Sequence, residues 1–176
     1  MQAAVYHGPD QPLRVEDVPV PTPGAGEALV KVAGCGMCHT DLHYLDHGVK
    51  PFKAPPLILG HEVAGTIERL GSGTNGWSDG DRVLIPSVLS CGRCRYCRQG
   101  RENLCDELVM LGNNIDGGYA EFLTVPAREM IRVPDTLPLE QACVVADALS
   151  TPFHAVKHRG KVRTGDVVAV MGCGGV

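Results

Sequence analysis

Cys91, Cys94, Cys97 and Cys105 fall within fifteen positions as C-x2-C-x2-C-x7-C. Four thiolates close a tetrahedral zinc shell with no open position, which describes a site that holds structure rather than substrate. An iron–sulfur cluster draws on the same four ligands, and spacing alone does not separate the two. Unmetallated or disulfide-paired cysteines are the remaining alternative. Four thiolates with one Zn2+ carry about two negative charges in excess, and Arg93, Arg95, Arg98 and Arg101 in the same loop are expected to offset them. Two shorter segments also carry ligand-type residues: Gly36-Met37-Cys38-His39-Thr40-Asp41-Leu42-His43 and Gly60-His61-Glu62. Taken singly, each is equally a satisfied structural histidine or a core cysteine. Cys35, Cys143 and Cys173 lack such company and read as small buried hydrophobes.

These residues need a scaffold. The chain has 176 residues, 44% of them hydrophobic and 20% charged, enough for one ordinary domain or one domain plus a fragment of a second. A net charge of -4 gives no reason to expect nucleic acid as a partner. No apolar run approaches the ~18 residues of a membrane span, and the N-terminus lacks a signal-peptide pattern, so a cytoplasmic location without membrane partners is expected. Up to about Pro134, Gly and Pro clusters separate short β segments, which suggests a compact β-barrel. Strands are expected at Leu13 to Asp17, Ala28 to Ala33, Val63 to Leu70, Arg82 to Ile85 and Ala120 to Val125. Helix is expected over Leu139 to Val145 with Pro138 in its first turn, and again after a Ser150 cap, ending at Gly160. Val167 to Met171 reads as a buried parallel strand leading into a Gly-rich turn.

The ordered set, together with Gly-Gly-Tyr-Ala-Glu-Phe at Gly117 to Phe122, resembles the zinc-dependent alcohol dehydrogenases of the medium-chain dehydrogenase/reductase family over essentially the whole chain. The resemblance implies a mainly β fold: a GroES-like zinc-binding catalytic domain over 1–150, then helices and the first strand of a Rossmann domain over 151–176. It implies two zinc ions. Cys38, His61 and Asp147 would hold a catalytic zinc with one position open, Asp147 standing where many members carry Cys, and the four-cysteine loop would hold a structural zinc. Asp41 resembles the carboxylate that orients the ligand histidine, and Glu62 the acid that approaches the same zinc. Thr40 and His43 resemble the proton relay. Zinc lowers the pKa of bound oxygen from about 16 toward about 7, so an ordinary imidazole, near ~6.5, is a matched acceptor. His39 corresponds to a contact with the cofactor pyrophosphate and Thr151 to a residue packing on nicotinamide.

Gly172, Gly174 and Gly175 match the start of the family's dinucleotide fingerprint, G-x-G-G-x-G. The last glycine and the residue that would discriminate NAD from NADP lie beyond Val176, so the chain is expected to be a truncated catalytic domain. The implied reaction is NAD(P)-linked oxidation of an alcohol or reduction of an aldehyde or ketone. Two alternatives remain: a non-catalytic zinc-binding or assembly module, and weak hydrolase or hydratase chemistry at the open zinc position. Val167 to Met171, unpaired in its own chain, suggests a homo-oligomer. Ser87 and Leu111 to Ile115 are expected to border a roomy substrate pocket.

Overall fold

Side chains alternate between the two faces of a β-sheet, and that period organises most of this chain. The computed structural model describes residues 1–172. Its strands are β1 (Gln2–Tyr6), β2 (Arg14–Asp17), β3 (Glu27–Gly36), β4 (Leu57–Ile58), β5 (Glu62–Leu70), β6 (Arg82–Ile85), β7 (Val88–Leu89), β8 (Val109–Met110), β9 (Phe122–Pro126) and β10 (Ile131–Arg132). The helices are α1 (His39–Asp46), α2 (Leu139–Ala142) and α3 (Ser150–Phe153), with several 3-10 turns between elements. The five expected strands are present, β6 at the expected limits and the others within a few residues. β4, β7, β8 and β10 are two residues each, too short to show a period.

All strand pairs are antiparallel, in sheets of order β2-β1-β4, β10-β6-β5-β3-β9 and β7-β8. The segment approaching β9 ties the first two sheets together: the Ala4 N–H donates to the Tyr119 carbonyl at 2.7 Å, and the Val32 N–H to that of Glu121 at 2.9 Å. One face of the large sheet sends Val30, Val63, Ile67, Val83, Ile85, Leu123 and Val125 into the main core with Leu111. The other face packs Ala64 and Leu84 against Leu139, Ala142, Cys143 and Ala146. Burying such an aliphatic side chain is worth ~1.5–3 kcal/mol, so both faces of β5 are anchored.

Strand register positions the site. Gly36 at the end of β3 pairs with Glu62 at the start of β5, so Cys38, two residues beyond β3, and His61, just before β5, emerge side by side. Register shifts between Leu29/Val30 and Val32/Gly34 mark irregularities of the kind that bend and twist a strand.

The C-terminal part departs from expectation. α2 spans only Leu139–Ala142, with Pro138 at the N-cap, and tightens into a 3-10 turn over Cys143–Ala146. Leu149, not Ser150, is the N-cap of α3, because the Ser150 hydroxyl instead donates back to the Ala146 carbonyl at 3.0 Å. α3 continues as a π-helical turn over His154–Arg159, and both elements lack a buried residue. Val167 to Met171 is not a strand: Val167 and Met171 are fully exposed, at 100% and 99%. A strand needs a neighbour for its backbone N–H and C=O groups, and among the described residues none lies alongside. The start of the expected Rossmann domain is therefore an exposed helix and coil over the described part of 151–176. Gly172 takes a φ of +88°, while Gly174 and Gly175 lie outside the described residues.

Candidate metal centre

α1 is started by the residues that also build the site. Cys38 is its N-cap: the Thr40 N–H donates to Cys38 Sγ at 3.4 Å, and the Cys38 N–H donates to Asp41 Oδ2 at 3.1 Å, forming a reciprocal capping box. His61 comes from the residue just before β5 and is only 1% exposed. The 3-10 turn after α2 ends on Asp147, held from both sides. Its Oδ1 accepts the Thr151 hydroxyl, and the following Ala148 N–H donates to Glu62 Oε1 at 2.7 Å.

Cys38, His61 and Asp147 each bring one ligand atom within 4.8 Å of the others. Cys38 Sγ lies 3.6 Å and His61 Nε2 3.4 Å from Asp147 Oδ2. A tetrahedron with metal–ligand arms of ~2.0–2.3 Å has edges of about 3.3–3.8 Å, so the spacing is that of ligands around one ion. His61 Nε2 is buried and has no hydrogen-bond partner among the described residues, an uncompensated cost that a metal ion would remove. The donor set therefore fits zinc. Burial pushes the Cys38 thiol up; its contacts with Thr40 oppose this, and the charges of Asp147 and Asp41 add to it. Asp41 is itself buried, with Oδ1 4.0 Å from His61 Nδ1 and Oδ2 accepting the Tyr119 hydroxyl at 2.8 Å.

The second group is Cys91, Cys94, Cys97 and Cys105, whose sulfurs also lie within 4.8 Å of one another. They are thiols rather than disulfides. The Cys94–Cys97 and Cys91–Cys97 sulfur separations are 3.5 and 4.0 Å, close to the ~3.8 Å edge of a tetrahedral shell with 2.3 Å arms. That space takes one ion and not a multi-iron cluster, whose own atoms hold the thiolates farther apart. Of the arginines, Arg93 pairs first with Glu107 and also reaches the Cys91 sulfur, as expected, while Arg95 reaches Asp106. Backbone donors face the sulfurs as well. The Cys91 and Glu107 N–H groups donate to Cys105 Sγ at 3.3 Å and the Cys94 N–H to Cys91 Sγ at 3.4 Å. The Cys97 and Asp106 N–H groups hold Cys94 down to about 6, whereas burial pushes Cys97 up to about 11.

The model of the alcohol dehydrogenase GroES-like domain matches residues 24–135. This chain belongs to that family. It is 43% identical over its whole length to an alcohol dehydrogenase of Geobacillus stearothermophilus, of which it covers 52%. Among solved structures, an NAD-dependent alcohol dehydrogenase superposes with a TM-score of 0.87 at 33% identity, covering 94% of this chain and 49% of that one. A cobalt- and zinc-bound thermostable alcohol dehydrogenase from Pyrobaculum aerophilum gives 0.83 at 31% identity, covering 90% and 48%. The chain thus spans about half the length of the relatives it matches. A mainly β, GroES-like architecture is what the strands and these neighbours share.

Within this GroES-like chain the remaining expected residues are placed as follows. Thr40 is half-buried beside Cys38, while His39 and His43 are exposed on α1. Glu62 is 1% exposed and stands outside the ligand group, its Oε1 taken by Ala148 and its carboxyl pushed up chiefly by burial. Ser87 borders the Asp147 turn, its hydroxyl 3.5 Å from the Ala146 carbonyl, but Leu111 is packed into the core. A cavity of about 810 Å3 lined by His7, Glu16, Lys53, Ile115 and Asp116, among others, includes none of Cys38, His61 and Asp147. Cys143 is buried as expected and Cys35 half-buried against the main core, burial pushing Cys35 up to about 12, while Cys173 lies outside the described residues. Two roles were invisible beforehand: Tyr119 as the holder of Asp41, and Thr151 as a donor to Asp147. The four-residue step from Asp147 to Thr151 was the only hint of the second.

Proposed function

We propose that this chain is the zinc-binding catalytic domain of an NAD- or NADP-linked alcohol dehydrogenase that oxidises a small alcohol or reduces the corresponding aldehyde or ketone. One observation carries the reading: the buried, unpartnered Nε2 of His61 faces a thiol and a carboxylate at ligand spacing. Cys38, His61 and Asp147 hold the catalytic zinc, and Cys91, Cys94, Cys97 and Cys105 the structural one. When bound, the catalytic zinc supplies a Lewis acid that acidifies the alcohol and polarises the carbonyl.

The chain's own residues do the rest. Thr40 and His43 are three residues apart on α1 and share a face; the half-buried hydroxyl takes the substrate proton and the exposed imidazole delivers it to solvent. Asp41 faces His61 Nδ1 and orients the ring, as an outer carboxylate does behind a ligand histidine. Glu62 acts by anchoring the backbone next to Asp147, and Thr151 turns the Asp147 carboxylate so that Oδ2 faces the other ligands. His39, Gly172, Gly174 and Gly175 belong to the contact with the cofactor. A reducing, cytoplasmic setting belongs to the same reading, because four cysteines at metal-ligand spacing are the intracellular use of such a set, and among the described residues no helix is long and apolar enough to cross a membrane. Self-association through the exposed Val167 to Met171 segment completes the reading; a concentration-independent monomer mass by light scattering would remove that element.

The deciding experiment is zinc per chain by elemental analysis, together with NAD(P)+-dependent oxidation of a series of short alcohols. Two zinc ions, falling to about one in Cys38→Ala with loss of turnover, is the expected result. One zinc in the parent chain, unchanged by Cys38→Ala, overturns the reading.

A further inference from the structure

α1 carries an imidazole array that extends past the residues given roles above. His39, His43 and His47 follow at four-residue steps, the first two one turn apart on the same face of α1 and the third at its C-cap, and all three are exposed. Ring centroids are 5.1 Å apart for His39 and His43, 5.1 Å for His43 and His47, and 6.3 Å for His39 and His47. An imidazole nitrogen sits ~2 Å from a bound zinc ion, so two rings in adjacent coordination positions have centroids about 5 Å apart. Both neighbouring pairs meet that distance, while the 6.3 Å between the outer rings has to close by about 1 Å for all three to take tetrahedral positions on one ion. Adjacent ring planes cross at 67° and 81° instead of stacking face to face. Among the described residues only the two cysteine-containing groups already bring their ligand atoms within 4.8 Å of one another, so rotation about exposed side-chain bonds, among staggered conformers of similar energy, has to turn the imidazole nitrogens toward a common centre. His154 and His158 offer a contrast: they stack at 5.2 Å with planes only 30° apart, and the third ring beside them is that of Phe153, which has no ligand atom to offer.

We infer that His39, His43 and His47 form a surface site for a divalent transition-metal ion of the class that imidazole prefers, zinc, nickel or copper, with water filling the remaining positions. Unlike the buried cysteine-containing groups, this site closes only when the ion arrives. Its consequence rests on the proposed function: an ion seated there engages the His43 imidazole and removes it from proton delivery, so excess metal slows turnover.

The test is calorimetric titration of the zinc-loaded protein with Ni2+, without substrate or cofactor, in the parent chain and in His47→Gln and His158→Gln, with zinc content measured before and after. His47 has no role in the proposed reaction and is exposed, and circular dichroism verifies that its variant is folded. One Ni2+ bound per chain, with affinity falling about tenfold or more in His47→Gln and unchanged in His158→Gln, is the expected result. Equal affinity in the parent and His47→Gln, loss confined to His158→Gln, or release of one zinc for each Ni2+ taken up would each overturn the site. Because binding is read directly, a chain that lacks dehydrogenase activity yet shows His47-dependent Ni2+ binding loses only the dehydrogenase reading.

Discussion

The Tyr119 phenol donates to Asp41 Oδ2 at 2.8 Å, and the other oxygen of the same carboxylate lies 4.0 Å from His61 Nδ1. Asp41 thus stands between the phenol, to which it is hydrogen-bonded, and the His61 imidazole, which its buried Oδ1 faces without a hydrogen bond. Burial first, then the Asp41 charge, hold the phenol above its ordinary range, so it remains a proton donor to Asp41 at neutral pH.

Replacing Tyr119 by Phe leaves a buried carboxylate one donor short, at a cost of ~1–3 kcal/mol. The melting temperature is expected to fall. Zinc at the Cys38 group should also weaken by about tenfold, while the four-cysteine zinc stays in place. Chelator competition separates the two sites, and a lowered melting point with unchanged zinc affinity would show that Tyr119 is purely structural.

Tyr6, Tyr44 and Tyr119 are all raised from the ordinary value of 10.0, burial being the largest cause for each. A group raised in the folded state contributes stability that is fully present below its unfolded pKa and lost as pH climbs through the folded one. Stability to urea should therefore decline above pH ~10. Phenolate absorbance from these three side chains should rise together with unfolding; their ionisation well before unfolding would contradict the prediction.

The four-cysteine lobe has little else to hold it. Between Cys91 and Cys105 the buried side chains are Cys97 and Cys105 themselves, and the regular structure is two three-residue 3-10 turns. Removing metal with a strong chelator, or substituting Cys105→Ser, is expected to expose Arg93, Arg95, Arg98 and Arg101 to trypsin. Cleavage mapped by mass spectrometry should appear in this loop first. Protection that survives complete zinc removal would mean that the loop orders itself without metal.

A Cβ added at Gly36 would sit 1.9 Å from Glu62 Oε2 and 3.0 Å from its Cδ. Gly36→Ala must therefore displace the carboxylate that holds the Ala148 N–H. Overpacking of this kind costs ~1–3 kcal/mol, and the loss should extend to Asp147 and lower zinc occupancy of the Cys38 group. Glu62→Ala combined with Gly36→Ala removes the two shortest contacts and leaves the Cβ contact at 3.1 Å, so the double variant is expected to melt higher than the sum of the two single effects.

What could be read from the chain alone was local. The four-cysteine spacing lies within fifteen residues, and the cap that joins Cys38 to Asp41 spans one helical turn; backbone geometry over such distances is set by neighbouring residues. The longer strands were legible for the same reason, because alternation reports which face is buried. Other relations were not local. Asp147 meets Cys38 across 109 residues and Tyr119 meets Asp41 across 78, and both contacts depend on strand register, on the Gly36–Glu62 pairing and on α2 packing against β5. Position in sequence did not reveal that Thr151 turns toward Asp147 or that Glu62 is committed to Ala148, since a buried acid takes whichever donor the fold brings to it. Val167 to Met171 shows the reverse limit. Its composition suits a buried strand, but a strand exists only beside a partner that accepts its backbone hydrogen bonds, and that condition belongs to tertiary structure.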